Sequence, residues 1–129
     1  RIEEKPVAIC RLKRVAADNK GDVKARLPQA PAEQNGKRIA LLGAGPASLT
    51  VARDLLPLGY RCVLFEKDPV GGGLMRSNIP AFRLPVEVLD EEVETIYDLG
   101  VEKRFGEAVS SLKAVIDEGL QAFRYFHGR

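Results

Sequence analysis

The hydrophobic residues of this chain alternate along the sequence between two spacings. Short runs of consecutive apolar residues, such as 39–42 and 62–65, are typical of buried parallel strands. Between these runs, apolar residues recur every three or four positions, which is typical of amphipathic helices. We therefore predict strands at 38–43, 61–66 and 101–105, helices at about 46–58, 85–99 and 111–119, and the start of a fourth strand at 121–126. This alternation indicates an α/β fold with a parallel sheet.

Two of the predicted helices have a clear apolar face. In helix 46–58 it contains Ala47, Val51, Leu55 and Leu58, and in helix 85–99 it contains Val86, Leu89, Val93 and Ile96. The other faces of the second helix carry five acids, Glu87, Asp90, Glu91, Glu92 and Glu94. We interpret these acids as a solvated surface that suits the positive end of the helix, and favour this interpretation over a paired-carboxylate catalytic site.

The N-terminal part of the chain differs in character from the rest. Residues 5–18 predict a short helix with Ala8, Leu12, Val15 and Ala16 on one face. Residues 22–36 contain two prolines, several small residues and a closing Asn-Gly pair, which are typical of a linker. We therefore divide the chain into the tail of another, helical unit at 1–21, a linker at 22–36 and the main domain at 37–129.

Composition narrows the class of protein. A net charge of +2 over 129 residues gives no indication of a nucleic-acid or membrane partner, and no apolar run approaches the ~20 residues of a membrane span.

Cys10 and Cys62 form no paired motif, so we interpret both as structural thiols, with a cluster ligand as the alternative for Cys10. We expect a reducing, cytoplasmic setting. The chain has no signal-peptide pattern and opens with Arg1, so we expect it to begin inside a longer polypeptide or after processing.

A glycine-rich turn follows the first predicted strand and opens the first long helix. Gly43 allows a sharp turn at the strand end, and Gly45 leaves the backbone bare, so that a pyrophosphate can approach it. Pro46 suits the first helical position, and the helix N-terminus offers free N–H groups to phosphates. Ser48 stands at the third small position of this fingerprint and is larger than the usual glycine. An ordinary glycine-rich βα turn is the alternative interpretation.

An acid at the end of the second predicted strand favours nucleotide binding. Glu66 follows Gly43 at close to the ~20 residues expected for a ribose-binding carboxylate. A carboxylate there can accept both hydroxyls of an adenosine ribose and would repel a 2′-phosphate. The pattern therefore predicts FAD or NAD at this site rather than NADP.

The long segment 67–85 separates the second strand from the next helix and has little periodicity. A loop of this length in a small domain is usually functional or disordered. Three consecutive glycines, 71–73, allow close approach to a ligand, and apolar residues such as Met75 and Phe82 argue against disorder. Arg76 and Arg83 are candidate contacts to a phosphate or a partner, with a plain surface loop as the alternative.

The stretch VGGGLMRSNIPAFRLP at 70–85, placed after GAGPASL and Glu66, resembles the FAD domain of the glutamate synthase small (β) subunit. Related flavin domains occur in dihydropyrimidine dehydrogenase and other iron–sulfur oxidoreductases. The resemblance covers about residues 5–124. It implies a partial Rossmann-like, doubly wound FAD-binding domain with a parallel sheet, preceded by a short helical segment.

The resemblance also implies which residues hold the cofactor. It assigns the pyrophosphate to Gly43, Gly45, Pro46 and Ala47, and the adenosine ribose to Glu66, with Lys67 beside it. The ribityl chain and flavin would lie near Gly72, Gly73 and Leu74, and the isoalloxazine side near Arg76 and residues 79–83, including Arg83. Val109 would contact the adenine. The resemblance implies no catalytic side chain and no metal ligand within this chain.

The activity implied by the resemblance is electron transfer from NAD(P)H through FAD to [4Fe–4S] clusters. NAD(P)H and the clusters are implied for the full-length protein only, because the family's cluster cysteines and later segments are missing here. We expect the remainder of the polypeptide, or a partner oxidoreductase subunit, to complete the site, and an exposed sheet edge could drive self-association.

There are two alternative functions. The first, a short-chain dehydrogenase, needs a Tyr-x-x-x-Lys pair, but the residues four positions after the three tyrosines are Leu64, Val101 and Arg129, which counts strongly against it. The other alternative is a non-catalytic nucleotide-binding or subunit-interaction module.

Overall fold

Four parallel strands form the centre of the structure, a computed structural model that describes residues 7–123. Their bounds are β1 Arg38–Leu42, β2 Arg61–Glu66, β3 Glu102–Phe105 and β4 Gln121–Phe123, in the spatial order β3-β2-β1-β4. In the register, Arg38 lies opposite Arg61 and Leu42 opposite Phe65, so β1 and β2 end at the same edge. The predicted α/β fold with a parallel sheet is confirmed; residues 124–126 of the predicted fourth strand lie outside the described residues.

The helices follow the predicted order. Their bounds are α1 Ile9–Asp18, α2 Pro46–Leu55, α3 Leu74–Ser77, α4 Val86–Tyr97 and α5 Leu112–Asp117, with short 3-10 helices at Lys24–Arg26 and Leu56–Leu58. The single-turn helix α3 was not predicted, because one turn is too short to show a helical repeat. Residues 5 and 6 of the first predicted helix lie outside the described residues. Within 7–123, every helix falls short of the length and apolar character that crossing a membrane requires.

Both faces of the sheet are covered. On one side Leu41 and Leu64 pack with residues of α2 and α4, and on the other Val63 and Phe65 pack with Val115 of α5. Alternate residues of each strand therefore belong to different cores. This explains why the two central strands are continuous apolar runs rather than alternating ones.

The predicted inner faces of two helices need correction. In α2 the buried residues are Ser48, Leu49 and Ala52, followed by Leu56, whereas Leu58 is 65% exposed and Ala47, Val51 and Leu55 are partly buried. The helix ends at Leu55, so the regular spacing does not extend to Leu58. In α4 the buried residues are Leu89, Val93 and Tyr97. These three residues are four positions apart, so they lie on one face of the helix. Ile96 is partly buried at the edge of this face, and Val86, in the first turn, is 43% exposed.

The segment before β1 is attached to the outer side of α4. Lys20 pairs with Glu91 and Glu92, and Lys24 Nζ lies 2.7 Å from Asp98 Oδ2. Glu91 and Glu92 are exposed, as predicted, but they are also paired with the N-terminal segment rather than only solvated. Helix α1 itself buries none of its residues.

Candidate functional site

An open groove of about 950 Å³ lies where β1 and β2 end. It brings together most of the residues assigned to the cofactor: Gly43, Gly45, Ala47, Glu66, Lys67, Gly73, Leu74, Arg76 and Val109. Pro46, Gly72 and Arg83 do not line it. The groove therefore joins three segments that are far apart in the sequence, namely the first glycine turn, the segment after β2 and the segment after β3.

The glycine turn after β1 forms the floor of the groove. Gly43 has φ +89°, a left-handed conformation that favours glycine, and its N–H donates to the Phe65 carbonyl at 2.8 Å. Gly45 is different, because its φ of −84° is open to any residue. A Cβ built on Gly45 meets no atom within 4 Å. The fold itself does not require glycine at position 45, and the missing side chain leaves the groove open.

Helix α2 presents its N-terminus to the groove. Gly45 is its N-cap residue, Pro46 occupies the first turn, and no side chain caps the helix. The first intrahelical acceptor is the Gly45 carbonyl, to which Leu49 N–H donates at 3.1 Å. The N–H groups of Ala47 and Ser48 precede that point, so they are free to bind an anion. Pro46 thus shapes the helix start without facing the groove.

Glu66 is a buried carboxylate, 8% exposed, that holds two backbone segments. Its Oε2 accepts a hydrogen bond from Ala44 N–H at 2.7 Å, and its Oε1 accepts one from Asp68 N–H at 3.0 Å. A carboxylate has about four lone-pair positions, so two remain for a ligand hydroxyl. The sequence pattern predicted a ribose contact for Glu66 but did not predict these two backbone contacts.

The second glycine stretch lies directly against the first. Gly72 N–H donates to the Ala44 carbonyl at 2.8 Å, and a Cβ on Gly73 would lie 3.0 Å from the Gly45 Cα. Gly72 and Gly73 both have positive φ, +116° and +51°. Gly72 is therefore buried beneath the groove and fixes the turn, while Gly73 lies at the groove surface.

The two arginines of the loop have different positions. Arg76 lines the groove, and its guanidinium donates from Nε to the Gly71 carbonyl at 2.7 Å and pairs with Asp90 through Nη2. Arg83 has an exposed side chain away from the groove, and its carbonyl accepts a hydrogen bond from Arg14 Nη1 at 3.4 Å. The structure thus separates two residues that the sequence grouped together.

The remaining walls come from Lys67 and from the segment after β3. Lys67 is 70% exposed and pairs with Asp68 at 3.0 Å, a contact that raises the pKa of Lys67. Glu107 N–H donates to the Glu66 carbonyl at 3.1 Å and so places Val109 and Ser110 at the groove. Ser48 also lines it, a residue that was predicted only to affect helix packing.

A buried tyrosine lies beneath the second glycine stretch. A Cβ on Gly71 would approach Tyr97 Oη to 2.0 Å, so only glycine fits above this hydroxyl. Within residues 7–123, Tyr97 Oη has no hydrogen-bond partner, and burial raises the pKa of Tyr97 to about 12.

Burial likewise raises the pKa of the Cys62 thiol to about 11, while Cys10 is exposed. Across the described part of the chain, no three His, Cys, Asp or Glu side chains are grouped to hold a metal ion.

Comparison with known families agrees with this geometry. Residues 41–105, half of the chain, match the family model described as an NAD(P)-binding Rossmann-like domain. The chain belongs to this family. The matched residues run from the end of β1 to the end of β3, so they include the glycine turn, Glu66 and the second glycine stretch of this Rossmann-like domain.

Several oxidoreductases contain a related segment. This chain is 42% identical over 98 residues to the NAD-dependent dihydropyrimidine dehydrogenase subunit PreT of Salmonella typhimurium, covering 76% of this chain and 24% of that protein. It is 38% identical over 97 residues to the NADP(+)-dependent formate dehydrogenase subunit beta of Moorella thermoacetica, covering 75% and 14%. It is 34% identical over 101 residues to the NADH glutamate synthase of Schizosaccharomyces pombe, covering 78% and 5%. The resemblance to this group is confirmed, and the chain spans about a quarter or less of these relatives.

A solved structure shares the fold. Histamine dehydrogenase from Rhizobium sp. 4-9 superimposes with a TM-score of 0.56 and 25% sequence identity, over 72% of this chain and 14% of that one. The Rossmann-like domain is thus one part of a larger architecture in that enzyme.

Proposed function

We propose that the groove binds FAD, with the two phosphates at Gly45 and the N-terminus of α2 and the adenosine ribose at Glu66. The observation that carries the proposal is the bare backbone at Gly45. Glycine is not needed there for its conformation, and a side chain would have open space to occupy, so a role in admitting a ligand explains its presence. The uncapped N–H groups of Ala47 and Ser48 supply donors for an anion at the same place.

The extent of the groove favours a dinucleotide over a mononucleotide. Its lining includes Glu66 at the end of β2 and Val109 after β3, and also Leu74 and Ser77 of α3. We assign the adenosine to Glu66 and Val109, because Glu66 has unused lone pairs for ribose hydroxyls. We assign the ribityl and flavin half to Leu74 and Ser77.

The charge of Glu66 bears on which nucleotide binds. A 2′-phosphate on the ribose would lie close to a buried carboxylate and would be repelled by it. The site therefore suits an adenine nucleotide with a free 2′-hydroxyl, as FAD and NAD have. If the complete protein uses NADPH, that nucleotide binds at another site.

In a complete protein, the domain would serve an oxidoreductase of the glutamate synthase small-subunit type, taking electrons from NAD(P)H and passing them to iron–sulfur clusters. When bound, FAD supplies the chemistry that couples a two-electron donor to one-electron acceptors. The residues of this chain bind and orient the cofactor, and none of them needs to act as an acid or base. The nicotinamide site and the clusters would lie in other segments or in a partner subunit.

Binding measurements test this proposal directly. Calorimetric titration of the 129-residue chain should give binding of FAD and ADP, and weaker binding of 2′,5′-ADP. Gly45→Leu should abolish binding, because its side chain would occupy the place of the phosphates, while circular dichroism reports a retained fold. Thr50→Leu, on the exposed side of the same helix, is the matched control. A folded wild-type chain that binds neither FAD nor ADP would contradict the proposal.

A subunit-interaction role is the second candidate, and α1 favours it. Ile9, Leu12 and Val15 of α1, and Val7 just before the helix, are each at least 50% exposed, and α1 buries no residue. An apolar helix face of this kind is typical of a contact surface. Sedimentation velocity at increasing concentration tests whether the chain associates with itself, and Leu12→Glu should reduce any association.

We also propose a reducing, cytoplasmic location for the protein, which the two unpaired cysteines support.

A further inference from the structure

The second glycine stretch has no regular secondary structure of its own, and side-chain contacts hold it. Gly71 and Gly72 are buried, yet they lie between the end of β2 and the single-turn helix α3. Gly72 N–H reaches the Ala44 carbonyl at 2.8 Å, which fixes one side of the stretch. The other side depends on Arg76, whose Nε donates to the Gly71 carbonyl at 2.7 Å.

Arg76 is in turn oriented by a longer helix. Its Nη2 pairs with Asp90, which lies on α4 one turn after the start of that helix. Leu89, the neighbour of Asp90, is buried in the core, so the backbone of α4 at this point is well anchored. A chain of contacts thus runs from the core helix α4 through Asp90 and Arg76 to the Gly71 carbonyl.

We propose that Asp90 and Arg76 are positioning residues that set the shape of the groove beyond the phosphates. Through Gly71 they hold Gly73 against Gly45, where a Cβ on Gly73 would come within 3.0 Å of the Gly45 Cα. This inference rests on the proposed binding of FAD. It assigns to Arg76 a structural task in place of the direct flavin contact implied by the family resemblance.

The contacts of Asp90 and Arg76 should affect binding of only one half of the ligand. Glu66 and Val109, which would meet the adenosine, are held by Ala44, Asp68 and the segment after β3, with no contact to Asp90. Gly73 belongs to the stretch that Arg76 holds, and Leu74 and Ser77 follow it; all three line the groove, where we assign the flavin half of the ligand. Loosening that stretch should therefore weaken binding of FAD and leave binding of ADP nearly unchanged.

Titration of the 129-residue chain with FAD and with ADP tests this inference. Asp90→Asn should raise the Kd for FAD about two- to fivefold, the range expected for loss of a partly exposed ion pair that orients a hydrogen bond. The Kd for ADP should change less than about twofold by the same argument. Asp90→Glu should restore FAD affinity because it keeps the carboxylate.

The control variant is Glu87→Gln, which makes the same change of charge on α4 but has no ion pair within the described part of the chain. Its FAD to ADP affinity ratio should equal that of the wild type. An equal loss for FAD and ADP in Asp90→Asn, or no loss for either, overturns the inference. A wild-type chain that binds no FAD would instead contradict the proposed function on which it rests.

Discussion

The carboxylate of Glu66 accepts a hydrogen bond from the backbone N–H of Ala44, with 2.7 Å between Oε2 and the nitrogen. The contact ties the end of β2 to the glycine turn after β1. Since Glu66 also holds Asp68 N–H, a single buried side chain shapes two segments of the groove. A residue predicted only as a ligand contact therefore also supports the local fold.

Glu66→Gln should destabilise the domain by about 1–3 kcal/mol, because an amide offers only one acceptor oxygen to two backbone donors. One of the N–H groups of Ala44 and Asp68 would face the amide nitrogen and lose its partner. Urea unfolding followed by circular dichroism measures the change. Glu87→Gln, an exposed acid on α4, serves as the control and should change stability by less than about 0.5 kcal/mol. Equal stabilities of the two variants would show that the Glu66 contacts contribute little.

Gly71→Ala should destabilise the fold strongly, because its Cβ would come 2.0 Å from Tyr97 Oη and 3.2 Å from the Ala44 Cβ. Overpacking of this kind costs roughly 1–3 kcal/mol. Tyr97→Phe alone should be nearly neutral, since the buried hydroxyl has no hydrogen-bond partner among residues 7–123.

The double variant Gly71→Ala/Tyr97→Phe distinguishes a steric conflict with the Tyr97 hydroxyl from a general loss of loop flexibility. When that hydroxyl is removed, Gly71→Ala should lower the free energy of unfolding by less than it does in the wild-type background, giving a coupling of about 1 kcal/mol in a double-mutant cycle. Urea unfolding of all four proteins supplies the cycle. Additive effects would contradict a steric conflict at Tyr97 Oη.

The Cys62 thiol should make stability fall at alkaline pH. Its pKa is about 11 in the folded chain against an ordinary value of 9.0, so the folded state holds its proton more strongly. The contribution is fully present below pH 9 and is lost as the pH rises from 9 through 11, at up to about 1.4 kcal/mol per pH unit. Unfolding free energies between pH 8 and 10.5 measure this slope. Cys62→Ala should have a shallower slope, and parallel profiles would disprove the prediction.

The two thiols should also differ in reactivity. Cys10 is exposed and Cys62 is 1% exposed. A thiol reagent at pH 8 should therefore modify Cys10 rapidly and Cys62 only when the chain opens. Cys10→Ala should remove the rapid phase. A second rapid phase in that variant would mean that β2 is accessible in the native state.

The attachment of the N-terminal segment to α4 should depend on ionic strength. Lys20 and Lys24 make exposed ion pairs with Glu91, Glu92 and Asp98, which are worth at most about 1 kcal/mol each and are screened by salt. Proteolytic cleavage within 19–30 should therefore accelerate at high salt. A variant carrying Lys20→Met and Lys24→Met should be cleaved rapidly at every salt concentration. Equal rates for wild type and variant at low salt would contradict this attachment.

Much of the site was predictable because its signals are local. Gly43, Gly45 and Pro46 lie in one turn, and Glu66 ends the next strand, so strand pairing alone brings them to one edge. The helix faces were less predictable, because α2 has apolar residues at positions that fit two neighbouring faces. Contact with the sheet selected Leu49 and Ala52 over Val51 and Leu55. The assignment of individual residues to parts of the cofactor stays a prediction.

The amino-acid sequence by itself determined the order along the chain of the strands and of every long helix, the parallel sheet and the bare backbone at Gly45, since each is indicated by residues close together in the chain. Only the tertiary structure decided that Glu66 holds Ala44, that Arg76 joins Gly71 to Asp90, and that Arg83 lies away from the groove. The contacts of Arg76 join segments that no spacing rule relates, and the spacing that predicts a ligand contact for Glu66 does not reveal its hydrogen bond to Ala44. A long side chain can reach several partners, and packing of the whole domain selects among them.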